Sequence, residues 1–185
     1  MLMLETERLI LRQWKESDYL SFIKMGVDPK VMEYFPNLLT RDESLEFINK
    51  VKAIIDKNEW GFWAVELKEN EEFIGFIGLH SQPEQFEFSP CVEIGWRLAK
   101  EYWGKGYATE GAKAALEYAF NKLKLDKVVS FTAAINIPSE SVMKRIGMAK
   151  VGEFNHPKIT SGHHLEKHVI YEIQSPIKHN GCYTK

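Results

Sequence analysis

The feature that most constrains this chain is the run Trp103-Gly104-Lys105-Gly106-Tyr107-Ala108, which joins a predicted strand to a predicted helix. The strand spans Val92 to Leu98 and is rich in branched and aromatic residues, and the helix spans Tyr107 to Leu123. Glycine adopts backbone angles that other residues avoid, and the first N–H groups of a helix are unpaired at the positive end of its dipole. The run therefore predicts either a tight turn or a phosphate cradle, to which Lys105 would add positive charge.

Small residues on the following helix favour the cradle, because Ala108, Ala112, Ala115 and Ala119 form a stripe that lets the helix approach the sheet closely. A dinucleotide-binding fingerprint is the competing interpretation of the two glycines. It is disfavoured because Thr109 stands where the third glycine belongs. In addition, Asp126 precedes its strand, whereas the acid that binds the ribose should follow one.

The rest of the chain predicts alternating strands and helices. Strands are predicted at residues 8–14, 62–67, 72–80, 92–98, 127–133, 149–154 and 166–173, and helices at 17–25, 30–34, 40–55, 107–123 and 138–146. One strand-loop-helix-strand crossover lies at the centre. This order is typical of a mixed α/β domain, and a polar tail covers residues 175–185.

Composition narrows the function classes. The 185 residues suit one domain, and a formal net charge of −2 without a basic block argues against nucleic acid as a direct partner. Cys91 and Cys182 have no metal-type spacing, so we expect no metal and a reducing, cytoplasmic setting. No signal peptide and no apolar run of membrane-spanning length is found, so no membrane association is expected.

Two further segments connect the glycine run to a known family. Val92-Glu93-Ile94-Gly95-Trp96-Arg97-Leu98 with the run through Glu110, followed by Asn136-Ile137-Pro138-Ser139 and Lys144-Arg145-Ile146-Gly147-Met148, resembles the two central motifs of the GNAT acetyltransferases. The opening Glu7 to Arg12 and the closing His168 to Tyr171 resemble the ribosomal-protein N-acetyltransferase branch. The resemblance covers roughly Leu4 to Ile173.

The resemblance implies one acetyltransferase domain over residues 1–174, with a mixed central sheet of about six or seven strands and helices on both faces. It implies direct transfer of an acetyl group from acetyl-CoA to a primary amine, which is either a protein N-terminus or a small molecule. A homodimer is among the assemblies it suggests. The cofactor-binding residues would be Leu98, Trp103, Gly104, Lys105, Gly106, Tyr107, Ala108, Thr109, Asn136 and Ser139.

Two positions depart from the family pattern. Trp103 stands where Gln or Arg is usual, which removes no main-chain donor from the cradle. Met143 stands where many members have the Tyr that protonates the leaving thiolate, and a thioether cannot donate a proton. This leaves room for an alternative function, a catalytically silent acyl-CoA-binding module that regulates or senses.

The candidate catalytic residues each have a structural alternative. Glu93 is the candidate base, or else a solvated strand residue. Ser139 is the candidate acid or thioester-side donor, or else the N-cap of the helix after Pro138. Asn136 is expected to bind the pantetheine amide, or else to form a turn or cap. His168 is expected to line the substrate site, to pair with an acid such as Glu93, or to make a structural hydrogen bond.

Overall fold

The computed structural model describes residues 3–83 and 86–176. Within these residues, eight strands form one sheet in the order β1-β2-β3-β4-β5-β6-β8-β7. They are β1 (Leu4–Glu5), β2 (Leu9–Arg12), β3 (Phe62–Leu67), β4 (Phe73–Gln82), β5 (Cys91–Leu98), β6 (Lys127–Ala133), β7 (Ala149–Asn155) and β8 (Lys167–Gln174). Neighbouring strands are antiparallel except β5 and β6, which are parallel. The predicted mixed sheet is confirmed, and the two-residue β1 makes eight strands rather than six or seven.

In the described part of the chain, four α-helices cover the sheet: α1 (Tyr19–Gly26), α2 (Arg41–Asn58), α3 (Tyr107–Asn121) and α4 (Ile137–Arg145). The rings of Phe22 in α1 and Phe47 in α2 contact Phe76 in β4. Helix α3 packs on the opposite face, where a Cβ on Gly111 would lie 2.5 Å from the side chain of Ile77. Since Phe76 and Ile77 are consecutive strand residues, they point to opposite faces, and helices on both faces are confirmed.

Local sequence explains where two of these helices sit. Thr40 caps α2 in a capping box with Glu43, as the Thr40 side chain accepts the Glu43 N–H and the Glu43 carboxylate accepts the Thr40 N–H. In α3 the predicted alanine stripe packs against the core, since Ala112, Ala115 and Ala119 have no exposed surface. Close contact of α3 with the sheet brings its N-terminus to the ends of the central strands.

The predicted helix at residues 30–34 is wrong. Glu33 N–H donates to Lys30 O and Phe35 N–H donates to Met32 O, so the segment forms successive turns. Each of these bonds spans three residues, and Pro36 follows directly. Residues 28–40 therefore form an irregular connection between α1 and α2.

Three expectations concern membrane-spanning helices, the polar C-terminal tail and metal binding. None of the helices in the described part of the chain has the length and apolar character needed to cross a membrane. Most of the predicted tail, residues 177–185 with Cys182, lies outside the described residues. Within residues 3–83 and 86–176, no group of three or more His, Cys, Asp and Glu side chains is arranged to hold a metal ion.

Candidate active site

The centre of the sheet opens between β5 and β6. The two strands pair at Glu93 and Val129, and the Ser130 hydroxyl donates to the Ile94 carbonyl at 2.9 Å. On the other side of β5, the Ala99 N–H donates to Ile74 O. Hydrogen-bonded and non-bonded pairs alternate along an antiparallel ladder. The backbone groups of Trp96 and Leu98 therefore point away from β4 and toward the opening.

The glycine run forms a left-handed turn at the N-terminus of α3. Gly104 has φ +72° and Gly106 has φ +85°, and Gly106 immediately precedes the helix. These angles favour glycine because a Cβ would crowd the neighbouring carbonyl. The predicted turn ahead of a helix is thus confirmed, and it directs the first N–H groups of α3 toward the mouth of the opening.

Two residues that the sequence interpretation did not assign to the site hold this turn in place. Arg8 donates to the Lys105 carbonyl at 3.0 Å, forms an ion pair with Glu110 at 2.6 Å, and lies over the Tyr107 ring at 4.5 Å. The Glu110 carboxylate also accepts hydrogen bonds from the Thr6 hydroxyl and the Arg8 N–H. Burial would raise the pKa of Glu110, but these bonds outweigh it and lower the pKa. The connection between β1 and β2 therefore clamps the turn.

One cavity of about 1220 Å³ joins the turn, the strand opening and Glu93. Nine of the ten predicted cofactor residues line it: Leu98, Trp103, Gly104, Gly106, Tyr107, Ala108, Thr109, Asn136 and Ser139. Lys105 does not line the cavity, and its ammonium lies 5.5 Å from the centre of the Tyr102 ring. In this structure the turn presents its backbone, rather than the Lys105 charge, to the cavity.

Trp103 has a specific role at the mouth of the opening. Its indole N–H donates to the Leu98 carbonyl at 2.8 Å, while the side chain remains 45% exposed. This bond uses the Leu98 carbonyl, which faces the opening, and does not involve the Leu98 N–H, which also faces it. The Trp at this position therefore ties the glycine turn to the end of β5.

Asn136, not Ser139, caps α4. The Asn136 side-chain oxygen accepts the Ser139 N–H at 3.2 Å, and its amide nitrogen donates to the Thr132 hydroxyl at 2.9 Å. The expected cap by Ser139 is wrong, because Ser139 lies in the first turn of the helix. The cap alternative for Asn136 is confirmed. Asn136 keeps one amide proton for a ligand, and Ser139 lines the cavity half-buried.

Glu93 lies on the face of the sheet that α1 and α2 cover. It is directly opposite His80 in β4, whose ring stacks on Phe62. Burial raises the pKa of Glu93 to about 7, although the Gln82 side chain acts in the opposite direction. A carboxyl group with a pKa near 7 is able to accept a proton at neutral pH and release it again.

Phe131, His156 and His168 line the cavity beside β6, β7 and β8. The rings of His156 and His168 are 4.8 Å apart, next to Phe131 and Phe154. Burial is the main cause that lowers the pKa of His156 to about 4, and it also lowers the pKa of His168. His168 Nδ1 is bonded to the carbonyl of Glu166 rather than to Glu93. His168 thus lines the site and also makes a structural bond.

Four aromatic residues near the centre of the sheet, Trp14, Phe35, Trp63 and Trp96, divide into two pairs. Phe35 and Trp96 line the cavity. Trp14 lies against Phe22 in the core, and Trp63 has no exposed surface. Met143 is 1% exposed and also lines the cavity, so a buried thioether occupies the place of the usual Tyr.

Arg97 is a cavity residue that the sequence interpretation missed. Its guanidinium lies 4.0 Å from the centre of the Phe35 ring and 5.5 Å from that of Phe76. Nε and Nη1 are buried and have no hydrogen-bond partner. Burial lowers the pKa of Arg97 to about 10, which leaves it charged at neutral pH. Strand alternation could have indicated Arg97, since it places Glu93 and Arg97 on the same face of β5.

A mixed sheet that opens at its parallel pair, with a glycine turn and a helix N-terminus at the opening, defines the class of acyl-CoA-dependent transferases. Residues 8–149 match the model of the acetyltransferase (GNAT) domain. The chain therefore belongs to the GNAT acetyltransferase family, and it is an acetyl-CoA-dependent N-acetyltransferase by family.

Known proteins resemble the chain over most of its length. It is 34% identical over 150 residues to the uncharacterized N-acetyltransferase YnaD of Bacillus subtilis, covering 80% of this chain and 84% of that protein. A GNAT-family acetyltransferase structure from Bacillus anthracis superposes with a TM-score of 0.78 at 28% identity, covering 94% of this chain and 99% of that one.

Two more distant structures share the fold. Ribosomal-protein-S5-alanine acetyltransferase from Vibrio fischeri has a TM-score of 0.75 at 19% identity, covering 95% of this chain and 98% of its own. Spermidine N-acetyltransferase from Vibrio cholerae, in complex with CoA and spermine, has a TM-score of 0.72 at 23% identity, covering 92% and 97%. The fold accordingly serves both protein and small-molecule acetyltransferases.

Proposed function

We propose that this protein transfers an acetyl group from acetyl-CoA to a primary amine by direct attack within a ternary complex. The observation that carries the proposal is the continuity of one cavity from the glycine turn, through the strand opening, to Glu93. A single cavity allows the thioester and the amine to be held together, which removes the need for an acyl-enzyme. The spermidine N-acetyltransferase that shares this fold was solved with CoA and spermine, which supports a joint site.

The glycine turn would bind the pyrophosphate of acetyl-CoA. Gly104, Gly106 and the first turn of α3 supply backbone N–H groups, and Arg8 keeps the turn in place through the Lys105 carbonyl. The pantetheine arm would enter between β5 and β6, where the remaining amide proton of Asn136 meets it. The Leu98 N–H, which points into the opening, would polarise the thioester carbonyl.

The proton chemistry would be divided between the two sides of the cavity. Glu93 would take the proton from the attacking amine, directly or through water, because its pKa is about 7. Ser139 is the candidate donor on the thiolate side, since it lines the cavity. Met143 contributes no proton, so the Ser139 hydroxyl or water must supply it.

Thiol release from acetyl-CoA across a panel of amines tests the proposal. The panel should contain peptides with free N-termini, polyamines and amino acids. We expect at least one amine to accelerate release well above the hydrolysis background, and mass spectrometry should then find the acetylated amine. Tight CoA binding with no release for any amine would instead support the catalytically silent binding module.

A Gly106→Val variant tests the cradle separately. A β-branched residue does not tolerate φ near +85°, so the turn must rearrange. We expect the affinity for CoA to fall at least about tenfold in calorimetry while the circular dichroism spectrum is retained. One tenfold step is about 1.4 kcal/mol of binding free energy. Unchanged affinity would remove the turn from the binding site.

A further inference from the structure

We propose that Arg97 binds a carboxylate carried by the amine acceptor, so that the preferred substrate has an amine at one end and an acidic group at the other. This inference rests on the proposed acetyl transfer, because it identifies a chemical class of acceptor for the same cavity. Its basis is geometric: the guanidinium lies in the cavity wall, on the same strand face as the candidate base, with two donors that nothing in the structure uses.

The spacing of Arg97 and Glu93 suits a molecule that spans the two. They are four residues apart on β5, so their Cα atoms are about 13 Å apart at about 3.3 Å per residue. Gly95 lies between them on the same face and carries no side chain. The Phe62 ring lies 3.3 Å from where a Gly95 Cβ would be, and it forms an apolar floor.

Within residues 3–83 and 86–176, Arg97 forms no ion pair. Four carboxylates line the cavity, from Glu7, Glu33, Glu93 and Glu110, and none forms a salt bridge with Arg97. Glu110 is engaged by Arg8, and Glu33 lies 3.7 Å from Lys30. A buried guanidinium with unpaired N–H groups is unfavourable unless a partner satisfies them. Once Phe35 moves aside, the cavity gives an incoming anion access to these buried N–H groups.

A carboxylate of the acceptor fits this position better than a phosphate of CoA. The side chain of Arg97 lies against Phe76, on the face covered by α1 and α2, whereas α3 with its glycine turn packs on the other face. The planar guanidinium fork matches the two oxygens of a carboxylate. Phe35, 38% exposed in the irregular connection, is the part of the wall that must shift to admit the anion.

Matched acceptors that differ only in one carboxylate test the proposal. The pairs are L-glutamate and L-glutamine, β-alanine and β-alaninamide, and the dipeptide amides Ala-Asp-NH₂ and Ala-Asn-NH₂. For at least one pair we expect the wild type to have a kcat/KM about tenfold or more higher with the carboxylate. Arg97→Gln should abolish that ratio by raising KM for the acid alone, and Arg97→Lys should restore part of it.

Arg41→Gln is the control, because it removes one exposed arginine charge outside the cavity and should keep the wild-type ratio. Calorimetry of the same pairs with the CoA-loaded protein gives a readout that is independent of turnover. Release of thiol with equal rates for acid and amide, or a preference that survives in Arg97→Gln, overturns the role of Arg97. Absence of thiol release with every amine of the larger panel would instead count against the proposed acetyl transfer.

Discussion

Two arginines lie in the same row of the sheet but in opposite environments. Arg12 is opposite Ala64, Ala64 is opposite Phe76, and Phe76 is opposite Arg97, so the row crosses β2, β3, β4 and β5 on one face. Neighbouring strands are about 4.8 Å apart, which puts the two arginines roughly 14 Å from each other. The same residue type in the same row of one sheet face is thus available for a direct comparison.

At the Arg12 end every charge is paired. The guanidinium forms hydrogen bonds with Asp18 at 2.7 and 2.9 Å and with Glu66 at 2.7 Å, and Lys15 lies 3.0 Å from Glu66. Burial would raise the pKa of Glu66, but the bonds from Lys15 and Arg12 outweigh it, and the pKa is lowered. This is a structural cluster that fixes the start of α1 against the sheet.

At the Arg97 end the charges are left open. Glu93 has its pKa raised to about 7 by burial, and Arg97 has two buried donors without partners. The comparison teaches that this fold is able to pair a buried arginine fully and does so where no ligand is expected. The two unpaired donors of Arg97 lie in the cavity wall, which is typical of a site whose partners come from outside.

The largest effect that we expect is on the acetyl-transfer rate of the Glu93→Gln variant. Loss of a general base costs 10²- to 10⁴-fold. Below pH 7 the wild-type kcat/KM should fall with a slope approaching two, because Glu93 and the acceptor amine, with a pKa near about 8 for an N-terminus, both become protonated. The variant should show a slope of one. Glu66→Gln is the matched control, and below pH 7 its kcat/KM should fall with the wild-type slope approaching two. A variant with the wild-type slope would leave Glu93 as a structural residue.

The next largest effect concerns the folding stability of variants at the two arginines. Arg12→Met should lower the free energy of unfolding by about 3–5 kcal/mol, because it leaves Asp18 and Glu66 buried without their partner. Arg97→Met should change it by less than about 1 kcal/mol or increase it, since no ion pair is lost. Urea denaturation at pH 7.5 measures both. An equally large loss for Arg97→Met would show that Arg97 serves the fold.

The irregular connection shows why the sequence predicted the scaffold better than the site. Strand β6 was predicted with its observed bounds, because alternation and glycine geometry are local properties. Residues 30–34 were predicted as a helix, and there tertiary contact prevails, since Phe35 packs on the Arg97 guanidinium. Local propensity carries no information about a contacting residue such as Arg97, which is more than 60 positions away from Phe35 along the chain.

The same limit applies to the functional groups. Glu93, Asn136 and the glycine turn were found from motif positions, but the clamp by Arg8 joins residues about 100 positions apart. The sequence predicts a helix from Pro138 and offers Ser139 as an alternative N-cap, whereas the helix begins at Ile137 and its cap is Asn136. Arg97 required knowledge that no carboxylate approaches it, and only the packed structure contains that information.

A smaller effect should appear in the pH dependence of stability. Glu66 has a lowered pKa, so its contribution is present above the ordinary pKa of the unfolded chain and is lost as pH falls through the folded value. Glu93 has a raised pKa, so its contribution is present at acidic pH and is lost as pH rises through about 7. Glu93→Gln should therefore gain stability relative to the wild type between pH 5 and pH 8.

We expect that gain to be about 1–2 kcal/mol. One pKa unit corresponds to about 1.4 kcal/mol, and water in the cavity reduces the effect because Glu93 is only half-buried. Glu66→Gln should lose stability relative to the wild type over the range above its ordinary pKa, with no gain between pH 5 and pH 8. Parallel curves for Glu93→Gln and the wild type would contradict the raised pKa.

The smallest effect concerns the ring that covers Arg97. A double-mutant cycle of Phe35→Leu and Arg97→Met should give a coupling energy of about 0.5–1 kcal/mol, as expected for a cation–π contact near the surface. Denaturation curves of the four proteins measure it. Coupling near zero would mean that Phe35 covers the guanidinium without stabilising it.

The clamp between Arg8 and Glu110 has a consequence for biosynthesis. Its two ends are 102 residues apart in the chain, and the turn between them includes the Lys105 carbonyl. A chain emerging from the ribosome completes this contact only after α3 has been made, although Arg8 leaves the exit tunnel early. Contacts of such large sequence separation form late because loop closure precedes them. Coenzyme A binding by ribosome-bound chains of increasing length would thus report the chain length at which Arg8 and Glu110 come into contact.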